Sequence, residues 1–459
     1  MMMRHLVLPV CAAGTLMASL ALVGAAPPSP LTRQAGQQQP EVSLTISGEP
    51  GARPRYAVPD FVVRTTDADS AAAARVMGAV LWDDLAFERE FYMVPRDTYR
   101  SIPAARSVQD VPFDRWREIG ADALVVGSVE MTGATTFRVE VRLFDVKSRR
   151  SVMAREYTGS LSNPRLYAHA AADDIHQQQR ALRGVARTRL AFSSDRDGER
   201  VTGTVQQRDV KEIYIADYDG AYQRRVTVTH KLNIMPSWSP DGRAIAYTSY
   251  RRDFQDIYIS LIYQGTLENP TGGTTQNWLP VWSPDGTRLC FTSNRDGNAE
   301  LYIMNRDGSN VTRLTNNPAI DTTPTWSPSG TQIAFTSNRG GTPQIYIVDV
   351  DGLNLIKITS EAYCDRPTWS PAPFNEIAYT SRTGPGYDVK ILDLASGERR
   401  QLTFGEGSNE SPSYAPNGRH LAFMSTRTGK RQIFVVGRDG QGLKQITTVG
   451  NNYTPDWSK

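Results

Sequence analysis

The sequence predicts a small α/β domain followed by an all-β six-bladed β-propeller closed by the C-terminal strand. Three observations carry this: a Trp-centred phrase that recurs six times, strand periodicity inside each repeat, and a non-repeating segment of mixed periodicity ahead of them. The phrase reads PSWSPDG at Pro236 to Gly242, PVWSPDG at Pro280 to Gly286, PTWSPSG at Pro324 to Gly330, PTWSP at Pro367 to Pro371, PSYAPNG at Pro412 to Gly418 and PDWS at Pro455 to Ser458. Its aromatic anchors, Trp238, Trp282, Trp326, Trp369, Tyr414 and Trp457, are 44, 44, 43, 45 and 43 residues apart. That is the length of one four-stranded blade.

Each period has a strand grammar. A tight turn follows the anchor, then an apolar strand ending in Ser, as at Ala244 to Ser249, Leu289 to Ser293, Ile333 to Ser337, Ile377 to Ser381 and Leu421 to Ser425. A third strand alternates β-branched and aromatic residues, as at Ile257 to Ile259 and Leu301 to Ile303. Asp307-Gly308 and Asp351-Gly352 then open a fourth strand. The anchors are expected to pack between neighbouring blades.

Counting strands shows how the ring closes. Leu190 to Ser194, Ile213 to Ile215 and Arg225 to Thr227 supply three strands of a blade with no anchor phrase before it, while an orphan anchor segment, Tyr453 to Ser458, ends the chain. The C-terminal segment is expected to become the innermost strand of the first blade, leaving no unpaired edge in the ring. In the blade at Leu261 to Asn277, GTLENPTGGTT stands where the usual Asp-Gly turn and fourth strand are expected.

The N-terminal part reads differently. Residues 1–26 carry Arg4 and an apolar run ending in small residues near Ala25 and Ala26, the pattern of a secretory signal peptide, and nothing comparably apolar follows that could span a membrane. Residues 27–40 read as a flexible leader. Residues 41–183 are expected to form the α/β domain and 184–459 the propeller. In the former, Val42 to Ile46 and Arg55 to Val63 read as strands. Ser70 to Phe87 reads as a helix capped by Asp69 or Ser70, and Asn163 to Leu182 as a second, capped by Ser162 or Asn163 and stopped by Gly184. Between them Ala123 to Val129, Phe137 to Asp145 and Ser151 to Thr158 read as a meander.

Charge excludes one class of partner. The formal net charge is +3, and loss of the signal peptide removes only Arg4, so no nucleic-acid footprint exists. Outside the signal peptide the cysteines are Cys290, placed in a strand, and Cys364, placed in a loop before Trp369. They belong to non-neighbouring blades and are not expected to pair.

The order of signal peptide, small α/β domain, closing helix and propeller resembles the TolB family, the periplasmic component of the Tol-Pal cell-envelope system. Sharper stretches support the resemblance: EVSLTI at Glu41 to Ile46, IGADALVVG at Ile119 to Gly127, LYAHAAADD at Leu166 to Asp174, GVARTRLAF at Gly184 to Phe192 and IADYDG at Ile215 to Gly220. The resemblance implies a non-enzymatic periplasmic scaffold, without cofactor or metal, that binds the peptidoglycan-associated lipoprotein Pal through one mouth of the propeller and supports outer-membrane constriction during division. It also implies a box that contacts a TolA-like inner-membrane protein, here Glu41, Val42, Ser43, Leu44, Thr45 and Ile46. That box would lie behind the leader rather than at the mature N-terminus.

Loops entering innermost strands gather at one end of a propeller channel. The residues placed there are Gln276, Asn277, Trp278, Leu279, Asp321, Thr322, Thr323, Asp365, Arg366, Asn409, Glu410, Asn452 and Tyr453. Aromatic side chains among polar neighbours are what protein interfaces concentrate, and the family resemblance puts Gln276, Asn277, Trp278 and Thr322 at the head of the set. The recurring Arg196, Arg251, Arg295, Arg339 and Arg427 are expected to pair locally with loop carboxylates such as Asp195 and Asp296 rather than to face a partner.

Catalytic signatures do not occur: there is no nucleophile elbow, P-loop, HExxH or dinucleotide fingerprint. His169 and His176 are seven residues apart on one helix, too far for a metal pair, and the Asp-rich turns at Asp217 to Gly220 and Asp349 to Gly352 fit ordinary turns. The alternative reading is an exported propeller enzyme, peptidase-like or polyuronate lyase-like. It needs either a hydrolase domain or histidines converging on the channel, and only His230 and His420 fall within the blades.

Overall fold

The computed structural model describes residues 52–99, 101–103, 105, 107, 110–160, 162–200 and 210–459. The expected signal peptide, the leader and the Glu41 to Ile46 box lie outside the described residues. The N-terminal region holds one mixed sheet: β1 (Arg55–Ala57), β2 (Val62–Val63), β3 (Tyr92–Met93), β4 (Ala123–Met131), β5 (Thr136–Asp145) and β6 (Arg150–Ser160). Its order is β3-β1-β4-β5-β6, and β2 also pairs with β4. The strand expected over Arg55 to Val63 is two short ones, because Pro59 has no N–H to give to a ladder.

Two long helices cover one face. α1 (Ala68–Glu88) starts two residues earlier than the pattern suggests, because its cap is neither Asp69 nor Ser70 but Asp67, whose carboxylate accepts the Ser70 N–H at 2.7 Å. After the short α2 (Phe113–Glu118), which the sequence did not announce, α3 (Arg165–Arg180) begins at Pro164 without a side-chain cap. It stops on Ala181 at φ 52°, not at Gly184. Met77, Leu81 and Leu85 of α1 and Ala171, Ala172 and Ile175 of α3 bury against Val125, Val139 and Val141 of the sheet.

Six four-stranded sheets follow, and together they are a six-bladed propeller. The first blade is Arg189–Ser194, Glu212–Asp217 and Arg224–Arg225, completed on its inner side by Asn452–Trp457 from the end of the chain. Blades two to six begin at Asn233, Asn277, Asp321, Cys364 and Asn409. Cys364 therefore opens a strand, where a loop was expected, and both cysteines are buried and unpaired. The irregular second blade does form a fourth strand, Thr266–Glu268, which the sequence was expected to lack. The segment beyond it abuts the next blade so closely that a Cβ on Gly308 (φ +88°) would lie 2.0 Å from the Pro270 carbonyl oxygen.

The anchors join each blade to the one before it. Trp238 packs with Ile213 and Ile215 of blade one and Ile245 and Tyr247 of its own, and Trp282 with Ile257, Ile259 and Leu289. Two of the indole N–H groups bridge too, Trp282 donating to the Ser237 carbonyl and Trp326 to that of Val281, each at 3.2 Å, while Trp457 donates at 2.7 Å to Thr188 Oγ1, just ahead of the second strand of its own blade. Burying such a ring stabilises the fold by about 2–3 kcal/mol.

The α/β domain packs on the turns at the face opposite the inner-strand entry loops, through the end of α1. Asp84 accepts hydrogen bonds from Tyr218 of blade one and lies 2.7 Å from His169 Nδ1. Phe87 stacks on His420, Glu88 pairs with Arg419, and Arg89 meets Asp439 at 2.7 Å in blade six. Burial, helped by the Arg419 charge, holds the His420 imidazole neutral, down to about 3.

Two predictions follow from closure. A chain ending at Gly450 loses Trp457 and the inner strand of blade one, so its cooperative thermal transition should be lost or fall far below that of the full chain; an unchanged midpoint contradicts closure. Asp456 lines the channel, where removal from bulk water pushes its carboxyl up to about 6 against the Trp238 N–H that it accepts at 2.7 Å. Its native state thus holds a proton that the unfolded chain has released, and stability from this group is full below pH about 4 and declines as pH rises to about 6. Asp456→Asn keeps the acceptor and should gain in urea midpoint over wild type across that window.

Candidate functional site

Every innermost strand breaks its register at the same place. The ladder shifts between Ile234 and Ser237, Trp278 and Val281, Thr322 and Thr325, Asp365 and Thr368, Glu410 and Ser413, and Tyr453 and Asp456. The extra residue takes a left-handed backbone: Met235 (φ 56°), Leu279 (57°), Thr323 (48°), Arg366 (54°), Ser411 (57°) and Thr454 (46°). Each precedes a proline, whose lack of an N–H tolerates the bulge. A non-glycine residue rarely adopts this conformation, and six in register is a built feature rather than a local accident.

The bulges make a throat. These six residues and their prolines line a cavity of about 130 Å³ that all six blades share. Below it a second cavity, about 260 Å³, is walled by the six anchors. Above the throat, the preceding residue of each strand forms the mouth: Ile234, Trp278, Thr322, Asp365, Glu410 and Tyr453, all half-buried. Lys211 lies 3.8 Å from the centroid of the Tyr453 ring, and Asp365 accepts hydroxyl hydrogen bonds from Thr323 at 3.1 Å and Thr336 at 2.9 Å.

Four of the expected contact residues are taken up inside the blades. Asn277, Asp321, Asn409 and Asn452 are all 0% exposed. Each accepts a guanidinium N–H from its own blade: Arg295 at 3.0 Å, Arg339 at 2.7 Å, Arg427 at 3.0 Å and Arg196 at 2.8 Å. Those arginines lie over paired aromatic rings, as Arg295 does over Phe291 and Tyr302. This corrects the expected pairing with Asp195 and Asp296, since Asp195 instead holds Asn451 and Asp296 holds Tyr302. Gln276, Trp278, Leu279, Thr322, Thr323, Asp365, Arg366, Glu410 and Tyr453 keep exposed or half-exposed surface around the mouth and throat.

An apolar rim escaped the sequence reading except at Ile320, which falls in a loop, Ile320 to Thr323, that the sequence places at the mouth. Val228 (66% exposed), Ile320 (51%), Phe404 (71%) and Val449 (58%) sit on connections from a fourth strand to the next inner strand, at the same end as the mouth. The signal was local: Val228 and Phe404 directly follow Thr227 and Thr403, whose hydroxyls are fixed by the buried Glu212 and Asp388. Fixing the threonine inward leaves its neighbour pointing out. Among the described residues no group of three or more His, Cys, Asp or Glu side chains could hold a metal ion.

A six-bladed propeller carried on a small α/β domain, its mouth open at the face away from that domain, defines a class of two-domain propeller proteins. Comparison with known proteins narrows the class. A family model described as the TolB beta propeller domain matches residues 178–459, and one described as the TolB amino-terminal domain matches 42–152. This chain belongs to the TolB family. It is 34% identical over 185 residues to the Tol-Pal system protein TolB of Desulfosudis oleivorans, covering 40% of each chain. Against the protein of that name from Geobacter sulfurreducens it is 37% identical over 173 residues, covering 38% of this chain and 37% of the relative. These matches thus span about two fifths of the curated relatives' length. The crystal structure of TolB from Acinetobacter baumannii superposes with a TM-score of 0.73 at 25% identity, covering 89% of this chain and 97% of that one.

Asn277→Ala should separate blade from mouth. It strands the Arg295 guanidinium and should cost about 1–3 kcal/mol of stability by denaturant titration, without removing any surface at the mouth.

Proposed function

We propose that this protein is a non-enzymatic periplasmic scaffold of a Tol-Pal-like envelope system. Its propeller mouth binds a peptidoglycan-associated lipoprotein, and the complex supports outer-membrane integrity and constriction at division. A TolA-like inner-membrane protein is a second partner, through Glu41 to Ile46. The family membership and the names of the relatives support the system. The mouth itself supports the site.

The observation that carries the reading is the asymmetry of the two propeller faces. One face meets the α/β domain through Asp84, Phe87, Glu88 and Arg89. The other presents Trp278, Tyr453 and Ile234 around the throat, with Val228, Ile320, Phe404 and Val449 exposed beside them. Aromatic anchors inside an exposed apolar border are the composition of a binding surface. A lyase built on the propeller needs histidines converging on the channel, and the lining of the throat and the cavity below it holds no histidine among the described residues.

The test is direct binding. The mature protein is titrated with the peptidoglycan-associated lipoprotein of the same organism, freed of its lipid anchor. Trp278→Ala should weaken the complex by about 30-fold with no change in thermal midpoint. No measurable complex with wild type, or robust peptidase or polyuronate-cleaving turnover, would overturn the reading.

A further inference from the structure

The throat is neutral at five of its six positions, Met235, Leu279, Thr323, Ser411 and Thr454, and cationic at one, Arg366. Arg366 comes from blade five and reaches across the opening to blade two, where its Nη1 lies 3.1 Å from the Met235 sulfur. A thioether is a weak acceptor and a poor match for a guanidinium. The neighbouring carboxylate, Asp365, is committed elsewhere. Its Oδ1 accepts from Thr323, Thr336 and the Arg366 backbone N–H at 2.7 Å, and its Oδ2 accepts from the Tyr363 hydroxyl at 3.3 Å. Arg366 Nε stays 3.8 Å from Oδ2, beyond a hydrogen bond.

We infer that Arg366 makes the throat a carboxylate-binding subsite: the partner segment seated on the mouth carries an aspartate or glutamate side chain that enters the channel and pairs with this guanidinium. The inference rests on the mouth being the docking site and adds the chemistry of the group it recognises. A carboxylate offers two acceptors to the planar fork, displaces the sulfur contact and outcompetes the long ion pair with Asp365 at 3.8 Å. The cavity of about 130 Å³ around the fork gives it room. One layer deeper stands Asp456, held by the Trp238 N–H at 2.7 Å and the Ser413 hydroxyl at 3.3 Å. Asp456 already occupies those two donors, so the cation that an entering carboxylate meets first is Arg366. The apolar border around the mouth excludes water once the partner is seated, which strengthens the pair.

The experiment is a double-mutant cycle on the full mature protein and the lipoprotein named above. Arg366→Met should weaken binding by about 30-fold or more, and Arg366→Lys, which keeps charge but not the fork, should restore only part of it. The lipoprotein's acidic residues are changed singly to their amides. One of them should be coupled to Arg366, its loss almost vanishing in the Arg366→Met background, while the others add independently. If every acid is additive with Arg366→Met, or Arg366→Met binds like wild type while Trp278→Ala does not, the carboxylate inference fails and the mouth stands. If neither Trp278→Ala nor Arg366→Met changes affinity, the docking site itself is elsewhere.

Discussion

The ladder between Asn452–Trp457 and Arg189–Ser194 is the constraint on which the rest of the molecule depends. Without it the first blade lacks an inner strand, the ring has two exposed edges, and no throat exists. The clasp is reinforced outside the ladder: Arg189 and Ser458 exchange hydrogen bonds at 2.9 and 2.8 Å, and Asn451 receives and returns contacts with Asp195. Because closure joins residues about 260 positions apart, the ring forms only when the whole chain has been assembled.

Closure also fixes the division of labour between the faces. The anchors draw each blade against its neighbour from below, and the bulge above each anchor turns one residue into the channel. The lower face is then occupied by α1, whose last turn places buried charges against blades one and six. Breaking such pairs singly is costly, so the two domains are held at a defined angle rather than loosely tethered. The upper face stays open.

Much of this was legible in the residues. The 44-residue spacing of the anchors gave blade number, and the orphan Tyr453 to Ser458 gave closure, because both follow from strand periodicity and from the cost of an unpaired edge. Helix caps were less legible: Asp67, Asp69 and Ser70 are all good caps, and only the backbone at Asp67 decides among them. The site was half legible. Sequence placed Asn277, Asp321, Asn409 and Asn452 at the mouth correctly along the chain, but their side chains turn into the blade to meet arginines two residues past the second-strand serine. A one-residue step along a strand reverses the facing of a side chain, so loop position alone cannot separate Asn277 from Trp278. The exposed Val449 was invisible for the opposite reason, since an apolar residue in a loop carries no sign of its direction.

The central claim is that a partner docks on the upper face of a closed ring. Hydrogen–deuterium exchange of the mature protein, with and without the peptidoglycan-associated lipoprotein, tests it most directly. The account predicts protection confined to the connections at 226–235, 274–279, 316–323, 360–366, 403–411 and 447–454. Protection centred instead on α1, on the turns at Asp219 and Asp439, or spread evenly over the blades would contradict it.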